Sequence, residues 1–300
     1  MSENNTKETA AAENSISAAT VLSDTKKAII CVILSAFFFA LMSFMIRMVG
    51  DLPTYQKAFF RNAIALLFIL PSFFKQKCSF NIGKHNLRDL FIRSAFGTMG
   101  VLCNYYAIDH MSLSDSNMLN KLSPFFSVLM AILILKEKPT RSDWLAIVIA
   151  FSGALLIIKP SMNMHFAYAM IGVFGGFCAG SAYVFVRKLS KSGVKNPVII
   201  LGFCLFSCTF MLPFTILCGS PMSAYQLFFL FLAGLSAAGG QIFVTRAYSL
   251  SEVRKVSVFG YTQVIFAALL GIIFLGQTPD ILSFIGYIVI IGSAVMKSRS

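Results

Sequence analysis

Residues 113–140 read LSDSNMLNKLSPFFSVLMAILILKEKPT, and residues 253–280 read VRKVSVFGYTQVIFAALLGIIFLGQTPD. An offset of 140 positions aligns the two stretches and matches several residues, namely Phe126 with Phe266, Leu129 with Leu269, Leu135 with Leu275 and Pro139 with Pro279. The same offset holds without a gap from about residue 28 to residue 296. The chain therefore contains two copies of one unit. Internal duplication in a membrane chain is typical of transporters, because two matched halves can move about a site that lies between them.

The composition indicates an integral membrane protein. Apolar residues make up 57% of the chain and charged residues only 12%, whereas about 25% charged residues is usual in soluble domains. Apolar blocks recur at lengths of roughly 17 to 25 residues, enough to cross a hydrocarbon core of about 30 Å as a helix. Barrel strands are disfavoured because the blocks are continuously apolar rather than alternating. We predict an all-α polytopic membrane protein with ten transmembrane helices, near residues 28–47, 56–74, 90–108, 113–135, 143–158, 166–186, 197–217, 225–245, 253–275 and 281–296.

The distribution of positive charge predicts the orientation of the chain. If the N-terminus is cytoplasmic, most of the 25 Lys and Arg residues, Arg93 among them, fall in cytoplasmic segments, and only Arg47, Lys57 and Lys159 fall in outside segments. Both termini are then cytoplasmic, and the expected location is the cell inner membrane. The net charge of +13 follows from this topology and from attraction to anionic lipid, so nucleic acid is not an expected partner.

The chain divides into a tail and two repeats. Residues 1–27 begin with a stretch that has few large apolar groups and are predicted to form a disordered cytoplasmic tail. Residues 28–160 and 166–297 are the predicted five-helix repeats. Because five is an odd number of spans, the second repeat is expected to be inverted in the membrane relative to the first, which suits alternating access. A purely architectural duplication is the alternative.

Local motifs recur in both copies. Span four contains Pro124 and ends in LKEKPT at residues 135–140, and the next span contains Ser152-Gly153-Ala154. The second copy has LGQTPD at residues 275–280, followed by Gly292-Ser293-Ala294. Together with ten spans in two inverted halves, these motifs resemble the drug/metabolite transporter superfamily, specifically its EamA-type members. The resemblance covers nearly the whole chain after the tail.

Two positions of the second copy depart from that family pattern. Gln277 stands where Glu is usual, and Val264 stands at the position of Pro124, so the gating or helix shape of this half is expected to differ. The resemblance implies an inner-membrane transporter of a small organic metabolite, for import or export. EamA-type proteins move amino acids, nucleotide-sugar-like and cofactor-like compounds such as S-adenosylmethionine or riboflavin, so the substrate is left open.

Lys121 is the first candidate for a substrate-binding residue. It lies about 4–5 Å from the midpoint of span four, where a cation costs about 2.5–3.5 kcal/mol. Asn117 shares its face one turn earlier, and the offset maps the pair to Ser257 and Tyr261 in span nine. Two matching polar stripes predict a shared aqueous cavity. A structural role for Lys121, bonded to a backbone carbonyl freed near Pro124, is the alternative.

Further candidate binding residues lie in neighbouring spans. They are Arg61 in span two, Asn104 and Tyr105 in span three, Gln241 in span eight and Gln263 in span nine. Arg61 lies about 6 Å from the centre of its span and must face protein or water. A family-wide structural role is its alternative. If Arg61 and Lys121 both reach the cavity, the cavity favours a substrate that bears a carboxylate or phosphate.

Two residues of span four are candidates for gating. Asp115 lies two turns from Lys121 on the outer side, and Pro124 lies beside it on the inner side. No carboxylate is predicted near the membrane midplane. Proton-coupled carriers usually need a buried carboxylate, so we expect facilitated diffusion or exchange. In span six, the glycines at 172, 176 and 180 predict close helix packing.

The sequence contains no recognisable catalytic or metal-binding pattern. Its seven cysteines form no CxxC pair, and its three histidines are scattered. We therefore expect no metal, no cofactor and no enzymatic activity. The expected partners are a small-molecule substrate and the lipid bilayer, and a homodimer is left open. The alternative function is a non-transporting membrane scaffold or sensor, which would have a packed bundle and no central cavity.

Overall fold

Helices account for the fold, as the continuous apolar blocks predict. The computed structural model describes residues 2–135, 140–158, 164–251 and 257–299, and no strand occurs within these ranges. The elements in chain order are α1 (Ser2–Val49), α2 (Thr54–Lys75), α3 (Lys84–His110), α4 (Leu113–Asn120), α5 (Ser123–Leu135), α6 (Arg141–Ile158), α7 (Met164–Lys191), α8 (Asn196–Cys218), α9 (Ala224–Leu250), a 3-10 segment (Ser257–Tyr261), α10 (Thr262–Leu275) and α11 (Ile281–Arg299). Such helices satisfy their backbone hydrogen bonds internally, which a bilayer requires.

Most of the helices, though not α3, are apolar enough for membrane spans, and several of them also have the necessary length. Among the described residues, six segments are long and apolar enough to cross a membrane, namely Asp24–Val49, Thr54–Lys75, Leu113–Ile134, Phe166–Lys191, Asn196–Cys218 and Ala224–Leu250. Three shorter apolar helices are Trp144–Ile157, Phe259–Leu275 and Ile281–Ser293. Large apolar side chains cover the outer surface, such as Leu217 at 81% exposure. The protein is therefore an all-α polytopic membrane protein, as predicted.

The helices occupy the ten predicted spans when α4 is joined with α5 and the 3-10 segment with α10. The first helix, α1, begins at Ser2, and the disordered tail expected for residues 1–27 stays a prediction. Nucleation is the costly step of helix formation, so a helix nucleated in the apolar part of α1 extends readily into the residues before it. The side chains of residues 2–23 lie outside what the structure describes.

Span four is a broken helix. α4 ends at Asn120 and α5 begins at Ser123. Pro124 explains the break, because it has no N–H to donate to the Asn120 carbonyl and its ring clashes with that turn. Lys121 occupies the break, where its backbone N–H donates to the Asn117 carbonyl at 3.1 Å.

Span nine is irregular at the matching position. Its 3-10 segment ends at Tyr261, the counterpart of Lys121, and α10 begins at Thr262. Val264 stands where the first copy has Pro124, so a proline is not the cause here. Gly260 is a poor helix former and lies directly before the transition. The two copies thus differ in helix shape, as the sequence departure at this position predicts.

Contacts between helices come in matching sets. α1 packs along α9, and their counterparts at the offset of 140 residues, α7 and α3, pack along each other. α2 packs on its own counterpart α8, and α6 on its counterpart α11. α4 contacts α10, so the two irregular spans meet. The two copies therefore interlock along the middle of the bundle.

The glycine stripe of α7 brings this helix against the break in span four. A Cβ on Gly176 would lie 2.8 Å from the Leu119 carbonyl oxygen, and a Cβ on Gly180 would lie 2.5 Å from the Ser123 carbonyl oxygen. The Ser127 hydroxyl donates to the Gly180 carbonyl at 2.9 Å. The stripe serves close packing, as predicted, because only residues without a side chain let the two backbones approach this closely.

Gly180→Ala should destabilise the protein, because the added Cβ has no space beside Ser123. Overpacking of this kind typically costs about 1–3 kcal/mol. Gly292→Ala is the matched control, since no atom lies within 4 Å of its Cβ position. Thermal unfolding in detergent should give a lower midpoint for Gly180→Ala than for Gly292→Ala. Equal midpoints would show that the stripe tolerates side chains.

Candidate functional site

A small buried polar cavity lies where the two copies meet. Its volume is about 70 Å³, which is room for a few water molecules. Most of the predicted binding residues line it, namely Arg61, Asn104, Tyr105, Lys121, Gln241 and Gln263. Arg93, Asn120, Tyr183 and Phe203 also line it. The cavity thus receives side chains from both copies and from the break in span four.

The side chain of Lys121 crosses from one copy towards the other. Its Nζ lies 3.6 Å from the Cβ position of Gly260 in span nine. Within the described residues, the ammonium group has no hydrogen bond or ion pair. The alternative reading, in which Lys121 is bonded to a carbonyl near Pro124, therefore has no contact to support it there. The break in span four presents the ammonium to the cavity.

Arg61 is held in place by its neighbour. Its side chain is 1% exposed, and its Nη1 donates to the amide oxygen of Asn62. Asn62 in turn donates to the hydroxyl of Ser207 on α8 at 2.6 Å. Arg61 Nε has no partner in the described part of the chain. The guanidinium is thus positioned on one side and leaves a donor free on the other.

Arg93 is the functional candidate that the sequence analysis missed. It was grouped with the cytoplasmic residues, but its side chain is 2% exposed and lines the cavity. Its guanidinium carbon lies 4.2 Å from the ring centroid of Phe203, and its Nη2 donates to Gln241 Oε1 at 3.3 Å. Its Nε and Nη1 have no partner among the described residues. A depth estimate could have found it, because nine residues separate it from the start of α3 at Lys84, about 13–14 Å of rise.

Asn117 joins three helices and is not among the residues that line the cavity, and its predicted contact with substrate stays a prediction. It is 0% exposed. Its amide oxygen accepts from the Ser43 hydroxyl of α1 at 3.2 Å and from Gln263 Nε2 of α10 at 2.5 Å. Its amide nitrogen donates to the Leu113 carbonyl at 2.7 Å. Asn117 therefore serves as a bond between the copies.

Tyr261, the span-nine counterpart of Lys121, is not among the residues that line the cavity. Tyr261 is 2% exposed and packs in an apolar cluster that includes Met118 and Phe125. Its hydroxyl has no partner among the described residues. The side chain of Ser257 lies outside what the structure describes. Gln263, one position off that face, is the residue of α10 that reaches the cavity.

The lining of the cavity carries cations and no carboxylate among the described residues. Acidic side chains are paired near the ends of the helices instead. Asp109 accepts from Lys57 at 2.7 Å, and Asp89 Oδ2 forms an ion pair with Lys188 Nζ at 2.8 Å. Lys57, which the sequence analysis placed in an outside segment, is therefore a buried partner in an ion pair. The site is electropositive, as Arg61 and Lys121 alone predicted.

A wide cleft opens at the end of the bundle where α2, α7 and α9 finish. Its volume is about 820 Å³, and we call it the basic cleft after the side chains Arg187, Lys191, Lys195 and Arg246 in its lining. Tyr248 lines the cleft, and Tyr183 lines the cavity. The two rings pack edge to face with centroids 5.1 Å apart. This tyrosine pair therefore stands between the basic cleft and the cavity.

An ion pair closes the opposite end of the bundle. Lys57 Nζ contacts both carboxylate oxygens of Asp109, at 2.7 and 2.8 Å. Arg47, at the end of α1, donates to the carbonyl oxygens of Ile108 and Asp109 at the end of α3. A separate cavity of about 530 Å³ borders these residues. The ends of α1, α2 and α3 are thus tied together here.

The two predicted gating residues have different surroundings. Asp115 Oδ1 accepts from the Tyr287 hydroxyl of α11 at 2.8 Å. Nearby, Gln277 accepts from the Leu113 N–H at 3.0 Å, so the residue that departs from the family pattern also bonds the two copies. Pro124 does not line the cavity. Its effect on the structure is the break in span four. Asp115 therefore lies in a contact that fastens α4 to the second copy.

An all-helical bundle of apolar spans around a buried cationic cavity defines a polytopic membrane protein with an internal polar chamber. The model of the EamA-like transporter family matches the chain twice, over residues 26–159 and 166–299. The chain therefore belongs to the EamA-like transporter family, which confirms the resemblance drawn from its motifs. Membership indicates a transporter rather than an enzyme.

Relatives with curated names are transporters too. The pseudopaline exporter CntI of Pseudomonas aeruginosa is 27% identical over 285 residues, which cover 93% of this chain and 99% of the relative. Human solute carrier family 35 member G1 is 28% identical, with 88% and 76% covered, and the riboflavin transporter of Brucella anthropi is 26% identical, with 83% and 89% covered. A solved crystal structure aligns with a TM-score of 0.68 at 14% identity, over 91% of this chain and 97% of that one, which shows a likeness of fold alone.

Asn117→Ala should destabilise the protein, because it leaves Ser43 and Gln263 without their shared acceptor. A buried polar group that loses its partner costs about 1–3 kcal/mol. Asn81→Ala, at an exposed loop position, is the control and should leave stability unchanged. The measurement is the thermal unfolding midpoint in detergent. A wild-type midpoint for Asn117→Ala would instead return Asn117 to the candidate substrate contacts.

Proposed function

We propose that this protein is an inner-membrane transporter that moves a small organic metabolite through the buried cavity by alternating access. The observation that carries the proposal is a cavity, shared by both copies, whose polar groups lack partners. Among the described residues these include Arg61 Nε, Asn104 Oδ1 and the Tyr105 hydroxyl. Buried polar groups are nearly always bonded, so such a set favours a ligand. Amino acids, nucleoside-like and cofactor-like compounds such as S-adenosylmethionine are the classes considered.

The two five-helix repeats, residues 28–160 and 166–297, are proposed to be inverted relative to each other. The odd number of spans per repeat requires it if every span crosses the bilayer. The matching helix contacts support it, since α1 on α9 repeats as α7 on α3. The irregular positions at Lys121 and Tyr261 support it as well, because they fall at the same offset. An inverted pair can exchange conformations, so one side opens as the other closes.

Both termini and the basic cleft are assigned to the cytoplasmic side. The excess of Lys and Arg on that side supports the assignment. The tyrosine pair Tyr183 and Tyr248 is then the inner barrier, and the Lys57–Asp109 pair with its Arg47 contacts is the outer barrier. Asp115 is proposed to act with the outer barrier through Tyr287. Opening of one barrier at a time would connect the cavity to one side of the membrane only.

The transport mode is proposed to be facilitated diffusion or exchange. Among the described residues no carboxylate lines the cavity. A proton-coupled carrier usually relies on a buried carboxylate that can bind and release the proton. The names of the relatives, a pseudopaline exporter and a riboflavin transporter, support a metabolite as substrate and leave its direction open. At about 70 Å³, the cavity must expand to admit such a compound, since ligand pockets are usually about 300–1,000 Å³.

Lys121→Met should reduce transport without loss of expression, because it removes a charge that faces the substrate. Lys75→Met, at an exposed position at the end of α2, is the control and should transport normally. The measurement is uptake and exchange of metabolites by proteoliposomes that contain purified protein. Full flux through Lys121→Met would remove Lys121 from the site.

Thiol labelling should distinguish a transporter from a non-transporting scaffold or sensor. In a background without native cysteines, Asn104→Cys and Gln263→Cys should react with a water-soluble thiol reagent, because they line the cavity. Ala65→Cys, at a position that is 0% exposed in the packed core, should stay protected. Protection of all three positions under every condition would favour the scaffold.

A further inference from the structure

The cavity contains three cationic side chains, from Arg61, Arg93 and Lys121, and its described lining has no carboxylate. We propose that the substrate is a small organic polyanion, with two or more negative charges on carboxylate or phosphate groups, and that Arg93 anchors one of these groups. This inference rests on the proposed function, because it names the substrate class of the same cavity. It narrows the range of metabolites considered above, since a neutral or cationic compound would not satisfy the site.

The two arginines of the cavity carry charges that no described residue compensates. Arg61 and Arg93 are 1% and 2% exposed, and both line the same small cavity, so their charges repel each other. Buried charges are normally paired, because desolvation is costly when no opposite charge compensates it. Neither arginine forms an ion pair with a described residue. An anionic ligand supplies the missing partner.

The presence of three cations in the cavity favours a ligand with more than one negative charge. A monoanion would leave two of the three cations uncompensated in the same cavity. A dianion or trianion spreads its charge over separate positions, as the cations are spread over α2, α3 and the break in span four. Hydrogen bonds between charged groups are about twice as strong as neutral ones. Polyanions should therefore bind better than isosteric monoanions.

Arg93 is built as an anchor. The ring of Phe203 lies beneath its guanidinium, and Gln241 of the second copy holds Nη2, so the group is fixed before a ligand arrives. Two of its donor atoms, Nε and Nη1, remain without partners among the described residues. Gly97, one turn later, provides the space, because a Cβ there would lie 3.1 Å from Nη1 and 3.0 Å from the Phe203 ring. A fixed donor set with free positions is suited to a carboxylate or phosphate.

The basic cleft, through which a ligand would approach the cavity, is positively charged as well. The basic cleft carries Lys191 and Arg246 in its lining and is separated from the cavity by the Tyr183–Tyr248 pair. A cleft lined by one sign of charge raises the local concentration of the opposite ion. An anion therefore meets favourable potential from the cleft to the cavity.

The test is a thermal-shift measurement on the purified protein in detergent. It compares probes of related structure that differ in charge. Succinate, succinamate and succinamide carry two, one and no carboxylates. Glycerol 3-phosphate and glycerol form the phosphate arm. Binding to the native state raises the unfolding midpoint. We expect the dianion of at least one arm to act at a concentration at least about tenfold lower than its neutral counterpart, and the arm that responds identifies carboxylate or phosphate. In the carboxylate arm succinate should also act at a lower concentration than succinamate, and equal action of these two would count against a polyanion.

Variants assign the effect to Arg93. Arg93→Gln should weaken the apparent affinity for the dianion at least about tenfold, and Arg93→Lys should restore part of it. Gly97→Ala keeps every charge but displaces the guanidinium, so it should also weaken binding and keeps the test open if Arg93→Gln does not fold. Arg88→Gln, an exposed position on the same helix, should bind like the wild type.

Several results would overturn the inference. One is equal action of dianion and neutral probe in both arms, and another is unchanged dianion binding in both Arg93→Gln and Gly97→Ala. Proteoliposome flux of a neutral or cationic metabolite that Arg93→Gln does not affect would also overturn it, while the proposed transport function would stand. Binding of the dianion through Arg93 without flux of any solute would support the anion site and count against transport.

Discussion

Backbone groups inside a bilayer have no water to bond, so an interrupted helix is tolerated only where protein or an internal cavity surrounds its ends. Two spans are interrupted in the part of the chain that the structure describes, and both interruptions lie in the middle of the bundle. Pro124 causes the first, and the glycine stripe of α7 packs against it so closely that Gly180 leaves no space for a Cβ. The position of Lys121, and with it the cavity, depends on this arrangement.

The bond between the copies is made beside the same break. Asn117 sits one turn before Lys121 and bonds to Ser43 of α1 and to Gln263 of α10. Gln263 also lines the cavity, so the residue that joins the halves is part of the site they enclose. Movement of one half against the other would change the site directly. In the proposed mechanism, binding and conformational change are therefore coupled through these few polar contacts.

Acidic side chains and the cations of the cavity lie in different parts of the bundle. Acidic residues such as Asp89 and Asp109 are paired near the helix ends, where they fasten one helix to another. The cations of the cavity have no such partners among the described residues. Since an uncompensated buried charge is costly, the cations of the cavity lower the stability of the bundle. The ion pairs near the helix ends act in the opposite direction. Functional sites in membrane spans commonly show this pattern.

The sequence by itself determined the class, the repeat and the family, because span length, a constant offset and local motifs are all properties of the linear chain. It also determined that Lys121 lies near the middle of span four, since a position within one span can be counted from its ends. Only the tertiary structure decided which polar groups face each other. It showed that Arg93, which the sequence assigned to a cytoplasmic segment, lines the cavity beside Phe203 and Gln241. It also showed that Asn117 bonds to Gln263. These partners come from spans far away in sequence. Contacts of this kind depend on how helices are rotated and packed, which the pattern of one chain segment does not fix.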